Sequence, residues 1–351
     1  MEQTYAPPAA EGTGAPATEP GSGRKKLDLL LRLAEQAGGG SVDRIRPRAA
    51  DGPAPLSFGQ ERLWLLHRMD PGSAAYNIAG AYRLPRVDAP SLERALGEIV
   101  RRHEVLRTVL REGDGAAAQV VLRFDGFTLP LDDLSGLAEA EREAEAARRV
   151  ADEAARPYDL SGGPLFRPRL LRLGEEDVLL LNLHHAVADG WSIGVLFGEL
   201  SALYAAYRGG GASPLPEPAL QYADYAAWQR ERLRGEALER QLAWWKARLA
   251  GAPALLELPA DHPRPAVQTF RGAHETLSLP AALRDRLWAL GREEEATPFM
   301  VLLAGFQALL SRYGAGDDVV VGTPVSGRGR SEVAGMIGFF VNTVVLRTGL
   351  G

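Results

Sequence analysis

Residues 182–192 read NLHHAVADGWS: two of the chain's six histidines stand side by side, and an aspartate and a glycine follow. Histidine is the side chain whose ordinary pKa lies nearest neutrality, so it is the natural group to take or give a proton near pH 7. Such a pair fits three uses: a base carried at the end of a strand, a metal site, or two core histidines with no chemistry. A metal site requires at least three ligands, usually at helical or finger spacing. His185 and Asp189 stand four apart, but Gly190 and the apolar run before the pair argue against a helix there, and no third ligand is evident. A Ser-His-Asp triad through Ser192 is disfavoured, because there is no nucleophile-elbow motif and Ser192 suits the start of a helix. With no cysteine in the chain, disulfides, thiolate metal sites and a cysteine nucleophile are all excluded.

The apolar run Val178 to Leu183 predicts a buried strand. Side chains alternate faces along a strand. If that geometry persists to the strand's end, His184 and His185 point in opposite directions, and only one can face a given cavity. Gly190 permits a sharp turn, and SIGVLFGELSALYAAY predicts a helix capped by Ser192. The pair therefore occupies a strand-loop-helix junction, where rigid elements hold a reactive loop.

Farther out, SFGQERLWLLHRM predicts a helix, and SLERALGEIVRRH another with Ser91 as its N-cap and Leu92, Leu96, Ile99 and Val100 on one face. LRTVLRE and AQVVLRF flank the turn GDG as a hairpin, and LFRPRLLRL and DVLLLNLHH flank GEED as a second. Residues 136–156, rich in Ala, Glu and Arg, are helical by pattern. Helical patterns also cover 222–250 in one stretch, 280–294 and 297–313, while DDVVVGTPVSG and FFVNTVVLRT predict buried strands. Strands and helices mix on both sides of a Gly/Pro-rich linker, which predicts an α/β fold of two lobes. The expected divisions are a disordered leader over 1–26, a short amphipathic helix and linker over 27–54, a first lobe over 55–208, a linker over 209–221 and a second lobe over 222–351.

The chain has 351 residues, 46% hydrophobic, a formal net charge of −5 and a pI near 5.8. No basic excess points to nucleic acid, and no lysine-rich tail points to a membrane surface. No apolar run reaches bilayer length and no signal h-region opens the chain, so a cytoplasmic location is expected.

HHAVADGWS resembles the HHxxxDG signature of the condensation domains of nonribosomal peptide synthetases. Other motifs of that family follow the same order. SFGQERLWLL (57–66) resembles the first, RHEVLRTVL (102–110) the second, YADYAAW (222–228) the fourth and IGFFVNTVVLR (337–347) the fifth; PGSAAYNI (71–78) is also similar. One signature alone is weak, but motifs in order from about Pro55 to the end of the chain are specific.

The resemblance implies two chloramphenicol-acetyltransferase-like lobes forming a V, with a tunnel between them. It implies two peptidyl carrier partners, an upstream donor and a downstream acceptor, with an adenylation domain adjacent. No cofactor is bound directly; substrates arrive on the carriers' 4'-phosphopantetheine arms. The downstream α-amine attacks the upstream aminoacyl or peptidyl thioester, and the product is an amide. His185 matches the family's active histidine, as base or as positioning group, and His184 is structural. Asp189 is implied to pair with an arginine that fixes the loop, Arg107 being the first candidate and Arg328 the second. Gly190 provides backbone room and Trp191 packing. Asn342 either lines the tunnel or is a strand-end turn residue. Gln60 and Arg62 are read as packing and His103 as structural; His67, His262 and His274 have no special context. HHAVADGWS and PGSAAYNI favour an L-configured donor.

The family's two later motifs, a YPFE segment and RDxSRNP, do not occur, which implies an incomplete second lobe and an isolated chain with little or no condensation between two loaded carriers. No carrier serine motif and no adenylation signature are present. The rival readings are an epimerisation or other acyltransferase domain of the same fold, and a non-catalytic module that docks carriers. Heterocyclisation is disfavoured because those domains carry aspartates in place of the paired histidines.

Overall fold

The computed structural model describes residues 44–49, 52–113, 115–263, 272, 273 and 275–351. The leader expected over 1–26, the short helix expected after it and His274 lie outside the described residues. The chain divides into two compact units, one of Met1–Ala237 with Ser326–Val341, the other of Leu238–Val325 with Asn342–Gly351. These bounds differ from the expected lobes, because Tyr222–Ala237 and the late segment Ser326–Val341 pack with the first unit.

In the first unit, β1 (Ala54–Pro55) leads into α1 (Phe58–Met69). Ser57 caps α1: its hydroxyl accepts from the Gln60 amide while its own N–H donates to the Gln60 side chain. After β2 (Asn77–Pro85) comes α2 (Ala89–Arg102), which buries Leu92, Leu96, Ile99 and Val100 as its spacing predicts. Its cap is Asp88 rather than Ser91; the Ser91 N–H is what the Asp88 carboxylate accepts, one turn inside the helix. The first hairpin, β3 (Thr108–Gly113) and β4 (Ala116–Val121), is antiparallel and carries β1 on its outer edge, in the order β1-β4-β3.

A second sheet follows: β5 (Leu131–Asp133), then α3 (Glu139–Ala155), then the predicted hairpin β6 (Phe166–Arg172) and β7 (Glu176–His184), in the order β2-β7-β6-β5. β7 lies between β2 and β6, with Asn77 opposite His184 and Phe166 opposite Leu183. Every residue of β7 after Glu176 is buried, which accounts for its unbroken apolar run. Its faces still alternate. Leu179, Leu181 and Leu183 join the main core with α2 and α4 (Gly190–Arg208), while Val178 and Leu180 join a smaller cluster with Ala146 of α3. Burial of each such leucine contributes about 1.5–3 kcal/mol.

α5 (Tyr222–Arg232) completes the first unit's helices. The single helix expected over 222–250 is broken: α5 ends at Arg232, Gly235 adopts φ +55°, and α6 (Glu236–Leu249) starts afresh. The folded body also begins earlier than Pro55. Ile45 is buried in the core, and the Arg48 N–H donates to the Asp224 carboxylate at 2.9 Å.

The second unit holds most of α6, then α7 (Ala281–Glu293), α8 (Pro298–Leu310) and the two-stranded antiparallel ribbon of β8 (Asp318–Val325) and β9 (Asn342–Gly349). The strand expected over FFVNTVVLRT begins only at Asn342, and it is half-exposed rather than buried. Among its described residues this unit buries only Gly291, Gln307 and Val319. No helix among the described residues is long and apolar enough to cross a membrane.

Candidate active site

β7 ends at His184 and His185 opens the turn that follows, and the two histidines have different surroundings. His184 is buried, edge-on to Tyr158 at 5.7 Å between ring centroids, on the face shared with Val178 and Leu180. Its Nδ1 accepts the Ala186 N–H at 3.0 Å. Burial, with His185, His67 and Arg167 nearby, lowers its pKa to about 3, so it is neutral near pH 7.

His185 is only partly buried, and its ring lies 5.4 Å from that of Phe339. Its backbone N–H donates to Tyr76 O at 2.8 Å. Its Nδ1 lies 3.1 Å from the Ala188 carbonyl. A carbonyl only accepts, so Nδ1 carries the proton and Nε2 is left with its lone pair. Burial lowers the pKa of this ring, and the Arg62 guanidinium lowers it further, against the opposing pull of the Ala188 carbonyl and Asp189. The result is a neutral imidazole of defined tautomer with one basic nitrogen.

Asp189 holds the loop. It is fully buried and pairs with Arg328 at 3.0 Å, not with Arg107. Arg107 donates instead to Leu122 O at 2.5 Å and lies 3.5 Å from Glu104, bracing the hairpin base. The carboxylate of Asp189 also accepts the Ser192 N–H at 2.8 Å and the Phe340 N–H at 3.0 Å. Asp189 is therefore the cap of α4; Ser192, expected in that role, is one turn inside the helix. The Ser192 hydroxyl has one proton to share between Asp189 Oδ1 at 2.7 Å and Gly338 O at 2.9 Å. It accepts from Gly338 N and Arg328 Nη2. A hydroxyl so engaged and buried is no nucleophile.

Arg328 completes the node by donating to Val333 O and Met336 O at 2.6 and 2.7 Å, with its guanidinium 4.0 Å from the centre of the Phe340 ring. The Trp191 indole N–H donates to Ala334 O at 2.8 Å, although the side chain is more than half exposed. Gly190 is not crowded: a Cβ there meets nothing within 4 Å and its φ is not positive, so neither the protein's own packing nor its backbone conformation demands glycine there.

Four residues finish the site, three that sequence reasoning passed over and Gln60, which it read as packing. The Tyr222 phenol, fully buried, donates to Phe339 O at 2.6 Å and meets the Ser57 hydroxyl at 2.8 Å. Burial raises its pKa far above the ordinary range, which keeps the proton in place. Gln60, read as packing, donates to Ala186 O inside the histidine loop at 3.1 Å. Phe339 and Phe340 supply the ring beside His185 and the N–H on Asp189. The available signal was that all of them lie in the ordered motifs. Elsewhere, His103 pairs with Glu199 at 3.0 Å, which fits a structural role. Asn342 starts β9 in the second unit, and its Oδ1 accepts the Thr343 N–H. No group of three or more His, Asp or Glu able to hold a metal ion occurs among the described residues.

The Condensation domain family matches residues 50–351, and the chain belongs to it. Over 310 residues the chain is 51% identical to a linear gramicidin synthase from Brevibacillus parabrevis, a match covering 88% of this chain and 6% of that one. It is 46% identical over 328 residues to phosphinothricin tripeptide synthetase PhsC of Streptomyces viridochromogenes, covering 92% of this chain and 30% of that one. The chain thus spans a small part of the length of the synthetases it matches. Among solved structures it is similar to the X-domain from teicoplanin biosynthesis, with TM-score 0.79, 31% identity, and 88% and 68% of the two chains covered. It is also similar to the first condensation domain of the CDA synthetase, with TM-score 0.69, 25% identity, and 86% and 72% covered. The fold is the mixed α/β, chloramphenicol-acetyltransferase-like fold of condensation domains, and the family is that of nonribosomal peptide synthetases.

Proposed function

We propose that this chain forms the amide bond between an upstream carrier-bound aminoacyl or peptidyl thioester and the α-amine of a downstream carrier-bound aminoacyl thioester. Condensation domains are acyltransferases of this kind. The observation that carries the reading is the His185 imidazole, neutral and with Nδ1 committed to Ala188 O, so that Nε2 is the free base at the junction.

An α-amine has an ordinary pKa of about 7.7–8.0, so a useful fraction is neutral at working pH and need not be deprotonated beforehand. As its lone pair forms the C–N bond, the nitrogen becomes strongly acidic, and Nε2 accepts a proton from it at that stage. The tetrahedral intermediate then collapses with cleavage of the C–S bond. The upstream arm leaves as thiolate and takes up the proton held on Nε2, which restores the neutral imidazole, and the peptide remains on the downstream arm. No covalent enzyme intermediate is needed, in keeping with a chain that has no cysteine and a buried, fully engaged Ser192. Holding both arms in register supplies much of the acceleration. The likeness of HHAVADGWS and PGSAAYNI to family motifs supports an L-configured donor. Phosphopantetheine-bearing carriers and an adenylation domain are the partners this reading requires.

The test is a transfer assay between two carriers, each loaded with an aminoacyl thioester, with the downstream arm analysed by mass spectrometry. A dipeptidyl thioester there is expected; loaded carriers left unchanged over many hours would refute the assignment.

A further inference from the structure

Gln60 and Gln119 are buried amides, each all but inaccessible to solvent. A buried amide is costly unless its hydrogen bonds are made. Gln60 Oε1 accepts the Ser57 N–H at 3.1 Å, and its Nε2 donates both to Gln119 Oε1 at 3.2 Å and to Ala186 O at 3.1 Å. Gln119 Nε2 donates in turn to Pro55 O at 2.8 Å.

The direction of this relay is fixed at both ends. Ser57 N only donates, while Ala186 O and Pro55 O only accept, so neither amide can be turned over without setting like groups against each other. Gln119 sits on β4 directly opposite Ala54 of β1, so the hairpin holds the relay's far end in register. The near end reaches the carbonyl of Ala186, the residue after His185. The peptide before His185 is held by Tyr76 O, and the ring itself by Ala188 O. The peptide after His185 is held by its Ala186 N–H on His184 Nδ1, and Gln60 holds the next one, through the Ala186 carbonyl.

We infer that Gln60, oriented by Gln119 behind it, is a positioning residue for His185: it fixes the Ala186 peptide so that the imidazole keeps Nδ1 on Ala188 O and presents Nε2. This rests on the amide-forming role proposed for His185. Without the donor, the Ala186 carbonyl is buried and unpaired, and its peptide keeps only the Val187 N–H bond to His184 O at 3.0 Å, so it shifts to find the carbonyl another partner. The Nδ1 contact is then lost.

The test uses the full 351-residue chain with 15N-labelled histidine and the carrier transfer assay together. In Gln60→Met the His185 nitrogens should move from a single Nδ1–H form toward a mixture of tautomers. The maximal rate of amide formation should fall about 10²-fold, the scale of a ~1 Å misplacement, with an unchanged KM for the loaded acceptor. Gln119→Met should cause a smaller loss of the same kind, and the double variant should lose no more than Gln60→Met alone. If Gln60→Met is too unstable to handle, Gln119→Met, outside α1, carries the same nitrogen readout. Unchanged histidine signals with unchanged rate, or losses that add in the double variant, would overturn the proposal. A wild type that forms no amide, while Gln60→Met still shifts the tautomer, would instead refute the functional role and leave the positioning intact.

Discussion

At His185 a neighbouring carbonyl decides which nitrogen is basic, since Ala188 O leaves the proton on Nδ1 and the lone pair on Nε2. At His184 burial decides that there is no charge at all. Its pKa falls from 6.5 in the unfolded chain to about 3 in the fold, so between those values the unfolded state binds a proton that the native state does not. The stability it provides is complete above pH 6.5 and is lost as pH falls toward 3. Urea titrations across that window should show a slope for the wild type of up to about 1.4 kcal/mol per pH unit from this group. His184→Asn, which keeps an acceptor in the place of Nδ1, should flatten it; an equal slope in the variant would show that other groups govern acid lability. Asp189→Ala leaves the Arg328 guanidinium buried without its anion, and thermal or denaturant unfolding should register a loss of about 3–5 kcal/mol. A variant as stable as the wild type would place Asp189 outside the structural node. Strand alternation predicted different surroundings for the two histidines, but β7 ends at His184, so the turn rather than the pleat sets the surroundings of His185. The identity of the arginine was not legible, because pairing at 3.0 Å across so long a stretch of chain is set by tertiary packing and leaves no local spacing to read.

The segment Ser326–Val341 has little regular structure and many side-chain anchors. Its carbonyls at Val333, Ala334, Met336, Gly338 and Phe339 are taken by Arg328, Trp191, Ser192 and Tyr222, and its Phe340 N–H by Asp189. That is why FFVNT does not run as one strand: the backbone groups a sheet would use at Phe339 and Phe340 are already bonded to side chains. An apolar β-branched run gave no sign of this. The helix break at Gly235 was obscured for a similar reason, since one glycine in a strongly helical stretch reads as tolerated. Strand β2 was hidden by the small residues in NIAGAYRLP, which blur the alternation. The well-patterned elements, α1, α2, both hairpins and α4, were legible within a turn. Tyr222→Phe removes the donor to Phe339 O and should cost about 1–3 kcal/mol in stability. Gly338→Ala should be worse, because its Cβ would stand 2.1 Å from Tyr222 Cδ2. Equal unfolding midpoints for Gly338→Ala and wild type would mean that this segment is not latched as described.

For the molecule as a whole, the two units differ in how much they bury. The first holds the core of β7, α2, α4 and the histidine junction, while the second leaves Leu277, Phe299, Met300, Phe306 and Leu309 largely open. Local stability follows buried apolar contact. Amides of β2, β6 and β7 should therefore exchange hydrogen far more slowly than those of α7 and α8; equal protection in both units would contradict that ranking. Residue, element and core meet at one point in the fold, where the packed first unit holds a single imidazole in place. The most direct test is the single-turnover rate of amide formation between two loaded carriers, wild type against His185→Ala, with the unfolding midpoint of each variant measured alongside. A rate lower by about 10²–10⁴-fold at an unchanged midpoint is the expected result for loss of a positioned base. A His185→Ala chain that keeps most of the wild-type rate would contradict it.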